Sequence, residues 1–265
     1  MILASASPLP LILSVLAALA YLLPAALMHR MSVRSAHAWV AVAWLLQGIL
    51  LVSGLLGEPP HFGFAPALSV TAWLVAAVYA IESLIYPQLP TRWTLSTIGA
   101  AAVLLAYMFP GGPMSPSTSV WLPLHLAFGI ACYGLFGIAV VHAWFMNHAE
   151  KRIRQGKDSQ SGLPLLTLER LTYRFVAAGF VLLSATLVVG MLFGEVVYGH
   201  AWRWDHKTVF SVLSWLTFAV LLVGRTGFGW RGKRAATMLY TGSAFLLLAY
   251  VGSRFVMEIV LSRTP

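Results

Sequence analysis

Charge is what this sequence has least of. Asp, Glu, Lys and Arg make up 9% of its 265 residues, against about 25% in soluble domains. Hydrophobic residues make up 59% and the mean hydropathy is +0.82, which excludes an ordinary soluble enzyme. Cysteine is nearly missing as well. With Cys132 alone there is no intramolecular disulfide, CxxC redox pair, thiolate-held iron–sulfur cluster, cysteine-rich zinc site or CxxCH attachment motif. Any metal or cofactor therefore rests on histidine, carboxylates or backbone. No nucleophile–base motif, phosphate loop or HExxH is present, so nothing marks a chemical catalyst. The N-terminus lacks the basic leader of a cleaved signal peptide, and its apolar run reads as a first span.

Long apolar runs are what the chain does have. They predict spans at about 11–28, 37–56, 65–85, 93–109, 121–145, 173–193, 207–223 and 235–261, punctuated by Gly57 with Pro59 and Pro60, by Pro87, and by Pro110, Gly111, Gly112 and Pro113. At about 20 residues per span, eight spans take roughly 160 residues and leave only short connections. The expectation is an all-α, polytopic integral membrane protein, a bundle of about eight transmembrane helices forming one membrane domain over 1–265. No 20-to-50-residue repeat is visible.

A net charge of +9 would suggest nucleic acid in a soluble protein, but here its sidedness decides. Arg30 and Arg34 follow the first span, Arg92 the third, six basic residues lie from Lys151 to Arg174 and four from Arg225 to Arg234, which puts 13 of 17 on one side. The other side holds Arg203, Lys207, Arg254 and Arg263. The positive-inside rule makes the first side cytoplasmic and turns both termini outward. The basicity is then a topology signal, with membrane lipid as the partner and no nucleic acid.

The eight histidines fall on two faces. His29, His37, His142 and His148 lie at cytoplasmic helix ends, where histidines are usually solvated, though they permit a second haem or metal site. His61, His125, His200 and His206 lie toward the outside. His125 sits a turn inside its helix with Gly129, Cys132, Tyr133 and Phe136 on the same stripe, a surface that suits a flat ligand or simply a neighbouring helix. Glu82 and Glu258 are the intramembrane carboxylates, each a proton relay or half of an ion pair. The densest collection of functional groups runs from Gly194 to Lys207 and includes Glu195, His200, Trp202, Arg203, Trp204, Asp205, His206 and Lys207. A haem needs an apolar face, an imidazole and cations for its propionates, and this segment offers all three. The same residues also suit an interfacial aromatic belt with snorkelling cations. His200, Asp205 and His206 are a weaker fit to a bare divalent ion, since adjacent Asp and His do not share a helical face.

Taken in order, Trp121 and His125 through Phe136, Ala201 to Thr208 with Trp215, Gly229 to Ala236, and Tyr250 to Glu258 resemble the cytochrome c assembly family of haem-handling membrane proteins, nearest its YpjD-like inner-membrane branch. The resemblance implies a bacterial inner (cytoplasmic) membrane and haem b held at the outer face. A shortened WWD-like motif, Trp202, Trp204 and Asp205, would lie against it. It further implies His125 as iron ligand, with Arg203, Lys207 and Arg254 beside the propionates. The sixth position would go to His206, Glu258 or an exchangeable ligand. Other membrane or cytochrome-assembly proteins are the implied partners.

Three departures accompany the resemblance. The stretch 255–259 offers Glu258 where synthetase members carry a second outer histidine. Leu221 to Arg225 replaces their embedded histidine, and their large outer domain has no counterpart. The expectation is therefore a haem-handling accessory factor rather than an enzyme. The alternative is a HemX-like regulatory or scaffolding subunit that binds no haem. A small-solute or metal permease has thinner support.

Overall fold

The computed structural model describes residues 8–27, 30–85, 93–113, 121–156, 165–194 and 204–261. Helices dominate these residues: α1 (Leu9–Ala26), α2 (Val33–Leu56), α3 (Phe64–Ile85), α4 (Trp93–Met108), α5 (Trp121–Arg154), α6 (Leu165–Leu192), α7 (His206–Phe228) and α8 (Gly232–Val260). All but α4 are long and apolar enough to cross a membrane, and the chain is an all-α, multi-pass membrane protein. The 16 residues of α4 rise about 24 Å, short of the ~30 Å hydrocarbon layer.

Local chemistry sets several helix ends. Ser32 caps α2 by accepting from the Ser35 N–H at 3.1 Å, and Asp205 caps α7 by accepting from the Thr208 N–H at 2.9 Å. Gly229, at φ 63°, closes α7 in the left-handed conformation. Two helices outrun their apolar segments. α5 continues past the expected limit at 145 to Arg154, and α6 starts at Leu165 rather than 173. Residues 146–154 contain no Gly or Pro, and a Glu150–Arg154 ion pair one turn apart supports them. Hydropathy marks where lipid ends, not where the helix does.

Contacts group the chain into two compact units. Unit 1 comprises Met1–Ala77, Thr91–Met114 and Met257–Pro265. Its core is mostly small, with Ala17, Ala18, Ala20, Ala43 and Ala100 around Tyr21, so α1, α2 and α4 approach closely. Polar groups there pair internally: the Tyr21 hydroxyl donates to Gln47 Oε1 at 2.7 Å, and Gln47 Nε2 donates to Ser69 at 3.0 Å. Trp44 and Trp73 stack at 4.5 Å, each indole N–H donating to the other's carbonyl. A short antiparallel pair, β1 (His61–Phe62) and β2 (Gly112–Pro113), completes it.

Unit 2 comprises Val78–Pro90 and Ser115–Val256. Phe136 and Phe218 stack at 3.8 Å in its centre. Gly179 and Gly242 make the space, since a Cβ on either would come within 3.0 Å of one of these rings. At the basic end, Glu169 forms ion pairs with Arg225 at 2.7 Å and with Arg231 at 3.3 Å. At the opposite end, Trp215 Nε1 donates to Ser184 at 2.8 Å and His206 meets Ser253 at 2.8 Å.

Candidate functional site

These cross-links run α5 to α8 antiparallel to their neighbours, so the start of α5, the end of α6, the start of α7 and the Ser253 turn of α8 share one end of unit 2. His125 sits there, half-buried, with Nδ1 3.1 Å from the carbonyl oxygen of Thr186. A carbonyl only accepts, so Nδ1 is the donor in this bond. Ligating imidazoles are commonly oriented this way. One turn earlier, Trp121 stacks on Phe193 at 3.8 Å. The stripe below His125 serves packing: Cys132 and Phe136 are buried in the core, and the Tyr133 hydroxyl donates to the Leu246 carbonyl. Of the two uses that the stripe allows, helix packing is the one seen.

Around the start of α7 the residues separate by role. The Asp205 carboxylate is taken up by capping. Burial alone would raise its pKa, but the Thr208 backbone N–H and hydroxyl, with Lys207 and His206, hold it below the usual carboxylate value. His206 turns its Nε2 to Ser253, tying α7 to α8. Lys207 and Arg254 are both half-buried and near enough to repel each other, and the Arg254 guanidinium lies 5.7 Å from the Tyr250 ring centre. Two cations brought together at a helix junction make the local potential positive. α8 widens to π-type turns at Leu248–Gly252 and Val256–Val260, flanking Ser253 and Arg254; such irregular turns are frequent at functional sites. Trp204 is 71% exposed.

Glu195, His200, Trp202 and Arg203 lie outside the described residues, as does His29. Glu258 belongs to unit 1, where its carboxylate fills the space above Gly63: a Cβ there would stand 2.8 Å from both oxygens. His61 is half-buried in β1, and His37 is exposed. His148 is exposed too, its ring against Trp144 at 4.2 Å. His142 departs from the helix-end reading. It is 2% exposed and shares a 2.9 Å hydrogen bond with Glu82, itself 5% exposed. Because α5 runs on to Arg154, His142 is interior rather than terminal. No group of three or more His, Cys, Asp or Glu suited to a bare metal ion occurs among the described residues.

The model of one family, described as "Cytochrome C assembly protein", matches residues 10–261. The chain belongs to that family. A "Cytochrome c biogenesis protein CcsA" of Prochlorococcus marinus subsp. pastoris is 25% identical over 225 residues, covering 80% of this chain and 69% of the relative. Another of that name, from Gloeobacter violaceus, is 27% identical over 276 residues, covering 79% and 82%. An "Uncharacterized 28.8 kDa protein in nifR3-like 5'region" of Azospirillum brasilense is 29% identical over 269 residues, covering 93% and 97%. No solved structure matches the chain.

In this member of the cytochrome c assembly family, the Gly229 to Ala236 segment has visible structural work. Gly229 and Gly232 have φ of 63° and 59°, which turns the chain sharply between α7 and α8. Trp230 folds back onto Gly224, its backbone N–H bonding the Gly224 carbonyl at 3.0 Å. Its own carbonyl accepts from the Tyr173 hydroxyl at 3.2 Å, and Arg234 lies 4.1 Å above its ring.

Proposed function

We propose that this family member binds haem at the His125 end of unit 2 and passes it on as an accessory factor in cytochrome c assembly, in a bacterial inner membrane with both termini outside. The observation that carries this reading is the His125–Thr186 hydrogen bond, which sets the imidazole in a ligating tautomer. The donor set suits the group. His125 is a nitrogen ligand for iron, Lys207 and Arg254 match two propionates, and Trp204 offers an indole at the same end. When bound, haem b supplies an iron centre that needs one or two axial ligands. The printed names of the Prochlorococcus and Gloeobacter relatives support the cytochrome c connection.

Only His125 is assigned to the iron. His206 engages Ser253 through Nε2, and Glu258 rests against Gly63 in unit 1. The sixth position is then left to water or a partner's ligand, which suits weak, exchangeable haem. Purification from haem-replete cells tests this. A Soret band is expected in the wild type and its loss in His125→Ala. Full haem content in His125→Ala refutes the ligand assignment, and no haem in any preparation favours the HemX-like scaffold.

A further inference from the structure

Glu82 and His142 stand apart from that site and are the most deeply buried carboxylate and imidazole among the described residues, at 5% and 2% exposure. Their Oε2 and Nε2 atoms share one hydrogen bond at 2.9 Å. Each side chain keeps one further buried polar atom, Glu82 Oε1 and His142 Nδ1, with no hydrogen-bond partner. Phe175 of α6 tilts against the imidazole at 5.6 Å. A pair placed only to satisfy itself has no reason to leave a donor–acceptor atom bare at each end. In a membrane span such groups mark ion and proton paths.

Water-sized space lies close by. A cavity of about 180 Å³, enough for roughly six waters at ~30 Å³ each, is lined by Ala143, Met146, Asn147 and Val176. Met146 lies one turn on from His142 and Thr172 one turn before Phe175, on the same helix faces, and both line the cavity, whereas Glu82 and His142 themselves do not. Glu150, Glu169 and Tyr173 also line it, toward the basic end of the unit.

We propose that Glu82 and His142 form a proton relay near the basic end of unit 2, with water at the two bare atoms as donor and acceptor. The relay starts from a protonated Glu82 that donates from Oε2 to His142 Nε2, while His142 carries its own proton on Nδ1. A proton from water binds Oε1, the Oε2–H bond breaks as Nε2–H forms, and the Nδ1 proton leaves to a second water. One proton enters and one leaves, and the pair's charge is unchanged. Rotation of the carboxyl group and tautomerisation of the ring through water reset it.

Solid-state NMR of the full chain in proteoliposomes, with ¹⁵N-labelled histidine, reads this directly, because an imidazole carries at least one ring proton in every state. The His142 signals are identified by their absence in His142→Gln. In the wild type, the His142 ring proton is expected to exchange with bulk water far faster than the buried amides around it on α5. In Glu82→Gln, which keeps the shape and a hydrogen-bonding oxygen, exchange should slow by about 10²-fold, the lower end of what a positioned proton-transfer group supplies. A wild-type ring proton that exchanges as slowly as those amides overturns the relay without any variant being needed. Fast exchange unchanged by Glu82→Gln in folded protein overturns Glu82's part in it.

Discussion

Gly224 offers a prediction whose sign separates two physical effects. It lies inside α7, where replacing Gly by Ala normally stabilises a helix by about 1 kcal/mol. Here a Cβ would stand 2.3 Å and 2.4 Å from atoms of the Trp230 ring. Carbon contacts relax at about 3.8 Å, so the indole would have to move by about 1.5 Å. That shift disturbs the Trp230 N–H bond to Gly224, the Tyr173 bond to the Trp230 carbonyl and the Arg234 contact with the ring. Overpacking costs about 1–3 kcal/mol, and each disturbed hydrogen bond about 0.5–1.5 kcal/mol. After the helix gain is subtracted, Gly224→Ala should lose about 1–5 kcal/mol. Gly227, three residues on, has nothing within 4 Å of its Cβ position, so Gly227→Ala should gain up to about 1 kcal/mol. Unfolding of the detergent-solubilised protein measures both. In a Trp230→Ala background, Gly224→Ala should turn stabilising, because its obstacle is gone. If Gly224→Ala stabilises the wild type as Gly227→Ala does, the Trp230 packing is misassigned.

Ferric protein should give a high-spin or mixed-spin electron paramagnetic resonance signal; a purely low-spin bis-histidine signal abolished by His206→Ala would defeat the exchangeable site. Cysteines at Ser117 and Gln160 test orientation: an impermeant thiol reagent on spheroplasts should label 117 and spare 160, and the reverse pattern inverts the topology. Asp205→Ala should cost about 1 kcal/mol through loss of the α7 cap. The folded carboxyl of Asp205 is held below its ordinary value, so its contribution is complete above the unfolded pKa and disappears as pH falls through the folded one. The wild type and Asp205→Ala should therefore converge in stability only in the acid range, and a gap unchanged there would contradict the capping account. Gly63→Ala should destabilise unit 1 by about 1–3 kcal/mol, because a Cβ would stand 2.7 Å from the Gly111 Cα and 2.8 Å from both Glu258 carboxylate oxygens; an unchanged unfolding midpoint would show that Gly63 is not crowded by them.

Whatever depends on neighbours in the chain is legible in the order of residues. The apolar runs mark the membrane-spanning helices because about 20 such residues cross the hydrocarbon layer in any context. Pro59 and Pro60 mark the end of α2, Gly229 the end of α7 and Asp205 the start of α7, because caps and breakers act within a turn or two. The ordered motifs from Trp121 to Glu258 are enough to indicate the family. Tertiary structure alone decides which groups meet. Glu82 and His142 are 60 residues apart, as Asn147 and Tyr240 are 93. Hydropathy gives a residue's depth along a helix but not the direction it faces, since lipid and a packed helix are equally apolar neighbours. His142 accordingly reads as a helix-end residue in sequence, and becomes interior only because α5 runs on to Arg154. His206 reads as a candidate ligand, and only the structure shows that its Nε2 meets Ser253. The places of the apolar runs are written in the order of residues, and the pairing of polar groups is written in how the helices turn toward one another.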